Sequence, residues 1–366
     1  MQRRKFIRTA GVGAAGVAAA TTIAAPAIAQ SMPEVKWRLT SSFPKSLDTL
    51  YGGSELFCKI IAEMSDNKFQ VRPFAAGEIV PGLQVADAVQ NGTVEAGQTA
   101  AYYYFGKHPN FVFETGLPFS MNQRQYYAWL EFGGGHELIN DFYKEYNFRS
   151  FTFGGTGCQM GGWFRNELRS TADLRGLRFR VSGLAGKVLT RLGVIPTGAS
   201  RAQIAGAFES GALDAAGWVS PVDDEKLALT RIAPWYYYPG WWQGSMAIHL
   251  AFNLEKWSAL PKSYQAVVRA AAELANADVL ARYDALNPVA VRRLVDAGAK
   301  LRAFPQDILE ACWQATIAEF REASAADPKF QRVHDAYMRF RNEQYVWWQV
   351  AEYPYDNFII RQRAKG

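Results

Sequence analysis

Hydrophobic and polar positions along the chain switch repeatedly between the two-residue period of strands and the three-to-four-residue period of helices. Residues 35–43 alternate as a strand closed by Pro44, and over 47–64 the apolar Leu50, Leu56, Ile60, Ile61 and Met64 fall at helical spacing. A polar turn at Asp66-Asn67-Lys68 leads into a second strand over 69–75. A short helix over 82–90 stops at Asn91-Gly92, and a third strand follows over 94–97. Strand, helix, strand in this order predicts an α/β fold with a parallel sheet.

The same logic restarts in the second half. A strand over 151–153, a glycine-rich loop over 154–157 and a strand over 160–164 precede Leu177-Arg178-Phe179-Arg180-Val181-Ser182. There the apolar residues alternate with two arginines, so both guanidinium groups leave one face of a strand. Helices over 185–192 and 202–209 follow, then strands over 213–218 and 246–253. The Ala-rich segment 262–286 is a strong helix former that Pro288 should end. A short strand over 300–304 and a helix over 306–325 come next. From 330 to 353 the residues Phe330, Val333, Tyr337, Phe340, Trp347 and Ala351 form an aromatic stripe on a long helix that should bend or stop near Pro354. Such a stripe needs a partner surface, either its own domain or a second subunit.

Two domains with separate cores suit this length. The expected division is domain I over 30–152, domain II over 153–245, a return to domain I over 246–304, and a C-terminal helical region over 305–366.

The first residues change the electrostatic picture. Arg3-Arg4-Lys5 followed by Phe6-Ile7, a run of small residues from 10 to 20, and Ala27-Ile28-Ala29 make a cleavable export signal of the twin-arginine type over 1–29. Its removal takes away Arg3, Arg4, Lys5 and Arg8, lowering the formal charge from +6 to +2. No clustered basic stripe remains, which argues against nucleic acid as a partner. No second stretch approaches about 18 apolar residues, so the exported chain is expected to be soluble in the periplasm. Of the three cysteines, Cys58 and Cys312 sit in helical apolar patterns as core thiols, whereas Cys158 borders the glycine-rich loop.

Catalytic chemistry leaves no local trace. His108, His136, His249 and His334 have no neighbouring His or Cys at metal-ligand spacing, and the nucleophile-elbow and P-loop motifs are missing. Gly133-Gly134-Gly135 reads as a helix-to-helix turn, and Asp223-Asp224-Glu225-Lys226 as a helix N-terminus with favourable charge. Four aromatics at Tyr102-Tyr103-Tyr104-Phe105 cannot all face one core, so they either line a cleft in part or finish a buried strand. Arg178 and Arg180 either solvate a strand face or hold a planar carboxylate by paired hydrogen bonds. An exported two-domain α/β chain of this kind fits a solute receptor that closes on a ligand between its domains. An exported enzyme or an interaction protein on the same fold is the alternative class.

These residues carry a resemblance. Over essentially the whole mature length the chain resembles the DctP-type solute receptors of TRAP (tripartite ATP-independent periplasmic) transporters, in particular those that bind 2-oxo acids such as pyruvate. The matching motifs are Trp37-Arg38-Leu39 to Phe43-Pro44-Lys45-Ser46-Leu47-Asp48, Gly77-Glu78 with Pro81-Gly82-Leu83-Gln84, and Tyr102-Tyr103-Tyr104. They continue with Thr156-Gly157 through Gln159-Met160-Gly161-Gly162-Trp163-Phe164, then Asp223-Asp224-Glu225-Lys226-Leu227 and Tyr236-Tyr237-Tyr238-Pro239-Gly240-Trp241-Trp242. ATP-driven binding proteins share the general architecture without these motifs.

The resemblance implies a receptor, not an enzyme, that hands a small carboxylate to a TRAP permease in the membrane. It implies that Arg180 clamps the carboxylate, that Gln159 and Gln243 supply hydrogen bonds, and that Tyr102, Tyr103 and Trp218 wall the cleft. It further implies a sodium or similar cation held by the Gln159 side chain, the Trp218 carbonyl and a carboxylate just before it, and a dimer that exchanges C-terminal helices. This chain departs from the pattern at three points: Gly217 replaces the expected carboxylate, Gly155 stands where relatives have Asn, and Gln243 where they have Glu. An oxygen-ligated cation depends on anionic ligands, so its binding here is in question. The two glycines are expected to widen the cleft for a bulkier acid.

Overall fold

The computed structural model describes residues 32–181, 183–199 and 201–364, so the export signal expected over 1–29 lies outside the described residues. The first sheet is built from β1 (Val35–Ser41), β2 (Phe69–Phe74), β3 (Ala96–Thr99), β4 (Phe148–Gly155) and β10 (Ala247–Asn253), in the order β2-β1-β3-β10-β4. The first three are parallel, and β10 runs antiparallel between β3 and β4. The second sheet has the order β11-β9-β5-β8-β6-β7, from β5 (Gly162–Phe164), β6 (Arg178–Arg180), β7 (Ile195–Thr197), β8 (Ala215–Ala216), β9 (Trp235–Tyr238) and β11 (Lys300–Ala303).

Helices α1 (Asp48–Met64), α2 (Val85–Gln90), α3 (Gln123–Phe132) and α4 (Gly135–Tyr143) belong to the first unit. Gly133 and Gly134, the latter left-handed at φ 80°, turn α3 into α4 as the triplet predicts. The second unit carries α5 (Gly183–Arg191), α6 (Arg201–Glu209) and α7 (Pro221–Asp224), and then α8 (Leu254–Ala259), α9 (Lys262–Asp296), α10 (Gln306–Ala326), α11 (Pro328–Trp348) and α12 (Glu352–Arg363) complete the chain.

Each sheet buries its own apolar core. In the second, Trp163 of β5 stacks on Tyr236 of β9 with centroids 4.0 Å apart. In the first, Phe57 of α1 meets Phe153 of β4 edge-on at 5.7 Å. The chain passes between sheets where β4 leads to β5, where β9 leads to β10, and again after α9. That helix packs on α1 and β4 of the first sheet and on α7 beside the second.

Three expectations differ from the structure. Helix α9 runs on through Pro288 to Asp296, because burial of Tyr283, Ala290 and Leu294 on one stripe outweighs the single backbone bond a proline removes. Strand β11 pairs in parallel with β9, so the chain rejoins the second sheet after α9 and does not stay with the first through 304. The C-terminal helix breaks between Trp348 and Glu352, and Pro354 sits in the first turn of α12, where its missing N–H costs no helical bond. On α11 the residues Phe330, Val333 and Tyr337 are buried, while Trp347 is 58% exposed.

Candidate functional site

Strands β6 and β8 are parallel neighbours with Arg180 opposite Ala216, so the strand ends carry Arg180 and the Gly217-Trp218 pair to the same edge of the sheet. The Arg180 guanidinium donates from Nη1 to the Gly217 carbonyl at 2.7 Å and from Nε to the Ala199 carbonyl at 3.1 Å. It lies 4.9 Å from the centroid of the Trp218 ring, a cation–π contact. Among the described residues Nη2 makes no hydrogen bond. Arg178 is spent otherwise, gripping Asp214 through bonds of 2.8 and 2.7 Å. The two arginines thus divide into a structural one and one left to the cleft.

The facing wall comes from the carboxyl ends of β1 and β3, which deliver Ser42 and Phe43 and the 3-10 turn Ala101–Tyr104. Ligand sites of open α/β sheets form at such strand ends. Together with Arg180, Trp218 and Met246 these residues enclose a cavity of about 50 Å³. With roughly 10–15 Å³ needed per water, it holds a few of them or a ligand of a few heavy atoms.

The aromatic run divides by position. Tyr104 is buried, accepting from the Ala86 amide at 3.1 Å and pairing with Thr99 Oγ1 at 2.8 Å. Tyr102 and Tyr103 line the cavity with ring centroids 4.6 Å apart, and the Tyr102 amide donates to Thr115 Oγ1 at 3.1 Å. Burial, reinforced by Tyr102 and opposed by Arg180, pushes the Tyr103 phenol well above its ordinary value, so it acts as a neutral hydroxyl.

Gln159 and Gln243 stand one layer behind. Gln159 Nε2 donates to Met246 Sδ at 2.9 Å and to Thr156 Oγ1 at 3.2 Å, and its amide donates to the Gln243 carbonyl at 3.0 Å. Of the six expected ligand contacts, Arg180, Trp218, Tyr102 and Tyr103 meet around the cavity, while the two glutamines do not line it; Met246, which does, takes the Gln159 amide.

The glycines do not widen the cleft as expected. A Cβ on Gly155 would collide with the side-chain amide of Gln123, whose Oε1 accepts from Ser245 Oγ at 3.1 Å. A Cβ on Gly217 would stand 3.2 Å from Cζ2 of Trp242. Each position is filled from a distant part of the chain, which the sequence could not announce. Met246 carried no signal in the sequence, and Asp223 and Asp224 stand in the first turn of α7, the helix start expected for them. Both are buried: the Tyr283 hydroxyl donates to Asp223 Oδ2 at 2.6 Å, and Val219 N and the Tyr236 hydroxyl donate to Asp224 at 2.9 and 2.7 Å. Asp224 thereby fixes the backbone directly after Trp218.

The cation set suggested by Gln159 and Trp218 is not completed by any carboxylate, and among the described residues no group of three or more His, Cys, Asp or Glu could hold a metal. Buried polar atoms without a hydrogen-bond partner in and around the site include the donor Trp218 Nε1, the neutral acceptor Gln243 Oε1, Ser220 Oγ and Asp223 Oδ1, the last 3.6 Å from Lys226 Nζ.

Two α/β sheets joined by crossing segments, with an arginine and an indole meeting at a strand-end cavity, have the architecture of a solute-binding protein. Residues 40–327 match the bacterial extracellular solute-binding protein family 7 (DctP), and the chain belongs to that family of periplasmic TRAP receptors. It is 44% identical over 98% of its length, and 99% of the other's, to the monocarboxylate 2-oxoacid-binding periplasmic protein of Nostoc sp. PCC 7120. Its fold is similar, at TM-score 0.89 and 42% identity, to a TRAP solute-binding protein of Bordetella bronchiseptica RB50, over 91% of this chain and 99% of that one. That structure is a mixed-occupancy dimer with copurified calcium and picolinate in one active site and an apo second site. A TRAP solute-binding protein of Pseudoalteromonas atlantica T6c, with bound sodium and pyruvate, is similar at TM-score 0.85 and 32% identity over 88% of this chain and 99% of that one.

Proposed function

We propose that the chain captures a small monocarboxylate of the 2-oxo or 2-hydroxy class in the periplasm and delivers it to the membrane permease of a TRAP transporter. The observation that carries this is charge isolation: among the described residues Arg180 is the only charged one lining the cavity, with Nη2 uncommitted among them and Trp218 Nε1 beside it as a second donor. A planar carboxylate satisfies both. The cavity volume favours acids with a few heavy atoms, and the Nostoc and Pseudoalteromonas relatives support the 2-oxo class.

Two further features belong to this reading. Residues 1–29 act as a twin-arginine export signal. Tyr353, Tyr355, Phe358, Ile359 and Ile360 leave α12 exposed on apolar surface, and a second copy of the chain covers that surface by exchanging the helix. Light scattering on the mature protein tests the dimer.

The test of the ligand assignment is calorimetry with a panel of 2-oxo and 2-hydroxy acids on the mature protein and on Arg180→Ala. The variant is expected to lose binding while keeping its melting temperature without ligand, and the parent to gain melting temperature with its ligand. Unchanged affinity in the variant sinks the assignment.

A further inference from the structure

We infer that this receptor holds its carboxylate without a bridging metal cation, Arg180 alone balancing the ligand's charge. This rests on the reading of the cleft as a carboxylate site and asks what else that site needs. With a monocarboxylate bound, the described lining of the cavity is neutral, since among the described residues Arg180 is its only charge. A sodium ion added to that arrangement leaves one uncompensated positive charge in an enclosed site, and a calcium ion leaves two. Buried charge without a partner is strongly unfavourable, and the guanidinium repels a nearby cation most where water is excluded.

The local geometry points the same way. At Gly217 there is no side chain to ligate, and the Trp242 ring occupies the adjoining space. The Gly217 carbonyl already accepts from Arg180 Nη1 at 2.7 Å, so this backbone oxygen next to Trp218 faces a full positive charge. Of the nearby buried acids, Asp224 has both oxygens engaged, by Val219 N and the Tyr236 hydroxyl, and Asp223 is held by the Tyr283 hydroxyl at Oδ2 with Lys226 Nζ 3.6 Å from Oδ1. Trp218 Nε1, a buried donor with no partner, suits an anion and offers nothing to a cation. The Gln159 and Gln243 side-chain oxygens and the Trp218 carbonyl remain as neutral oxygens, and cation affinity at such sites rises with ligand charge. Gly217 and Gln243 are the two positions where the family resemblance leads one to expect a carboxylate and this chain has none.

The experiment titrates pyruvate, lactate and picolinate calorimetrically into mature protein that has been exhaustively chelated in sodium-free choline buffer, and again with added sodium or calcium. The inference expects Kd for the bound acid to change by less than about twofold across the three buffers. Binding that occurs only with sodium or calcium overturns the inference and leaves the carboxylate receptor intact. Failure of every acid in every buffer overturns both. A double variant, Gly217→Glu with Gln243→Glu, supplies the converse, its fold checked by a melting curve. It is expected to bind at least about tenfold more weakly in chelated buffer and to recover on addition of calcium. A double variant indifferent to calcium overturns the assignment of cation independence to these two positions.

Discussion

The guanidinium of Arg180 lies 4.9 Å from the centroid of the Trp218 indole, whose own Nε1 is buried without a hydrogen-bond partner. Strand β6 supplies the first residue and the segment after β8 the second, so one sheet edge holds both the cation and the surface that orients it.

Replacing Trp218 by Ala removes the cation–π contact, a donor and a wall of the cavity together. At roughly 1–2 kcal/mol for a partly desolvated cation–π pair, affinity for the acid is expected to fall about tenfold or more. Trp218→Phe, which keeps a ring without the N–H, should fall in between. Calorimetry on both variants separates stacking from hydrogen bonding, and wild-type affinity in the Ala variant would remove the indole from the site.

Gly155 and Gln123 occupy one space. Gly155→Ala is expected to destabilise by about 1–3 kcal/mol, the usual cost of overpacking, because the Gln123 amide must leave its place beside Ser245. Adding Gln123→Ala should restore most of that loss, a non-additivity that urea unfolding of the two single variants and the pair would measure. Additive losses would show that the two side chains do not compete.

Burial raises the Asp224 carboxyl from 3.8 to about 7, against the opposing hydrogen bonds from Tyr236 and Val219. The folded protein thus binds more protons than the unfolded chain between those values. The contribution is fully present below about pH 4 and is lost as pH rises through about 7, with a slope of at most about 1.4 kcal/mol per pH unit. Melting temperatures of the parent are expected to decline between pH 5 and 7 more steeply than those of Asp224→Asn. Parallel profiles would mean that the carboxyl is ionised in the fold.

Lys226 ties the second unit to the first. Its Nζ donates to the Ser46 carbonyl at 3.1 Å and to Asp48 Oδ1 at 2.6 Å, next to Phe43 and Leu47 of the cavity wall. Because Asp48 is mostly exposed, the pair contributes the modest amount of a surface ion pair, about 0.2–1 kcal/mol. Lys226→Ala should therefore release ligand a few times faster, with a difference that shrinks at high salt. Stopped-flow displacement at two ionic strengths measures this, and a salt-independent rate would exclude an electrostatic latch.

Periodicity made much of this molecule legible. The alternation around Phe179 placed Arg178 and Arg180 on a strand, the helical spacing from Leu50 to Met64 marked α1, and the polar turn at Asp66-Asn67-Lys68 separated it from β2. These signals survive because they are local: a strand or helix writes its period into its own residues. Short β7 left too few positions for a period to show, whereas β8, two residues long, lies inside the strand expected over 213–218. Pro288 misled because the local cost of a proline in a helix was outweighed by packing along the rest of α9.

The candidate site divides along the same line. Arg180, Trp218, Tyr102 and Tyr103 stood out as residue types suited to gripping and walling a carboxylate, and the missing carboxylate at Gly217 showed only through the resemblance to the family. That Gln123 fills the space beside Gly155, that Trp242 fills the space beside Gly217, and that Met246 takes the Gln159 amide were decided only by tertiary structure. Gln123 and Trp242 are 32 and 25 residues from the glycines they cover. No period or motif encodes which distant side chain enters a space that a glycine leaves open. Packing density decides it, once the two sheets have come together.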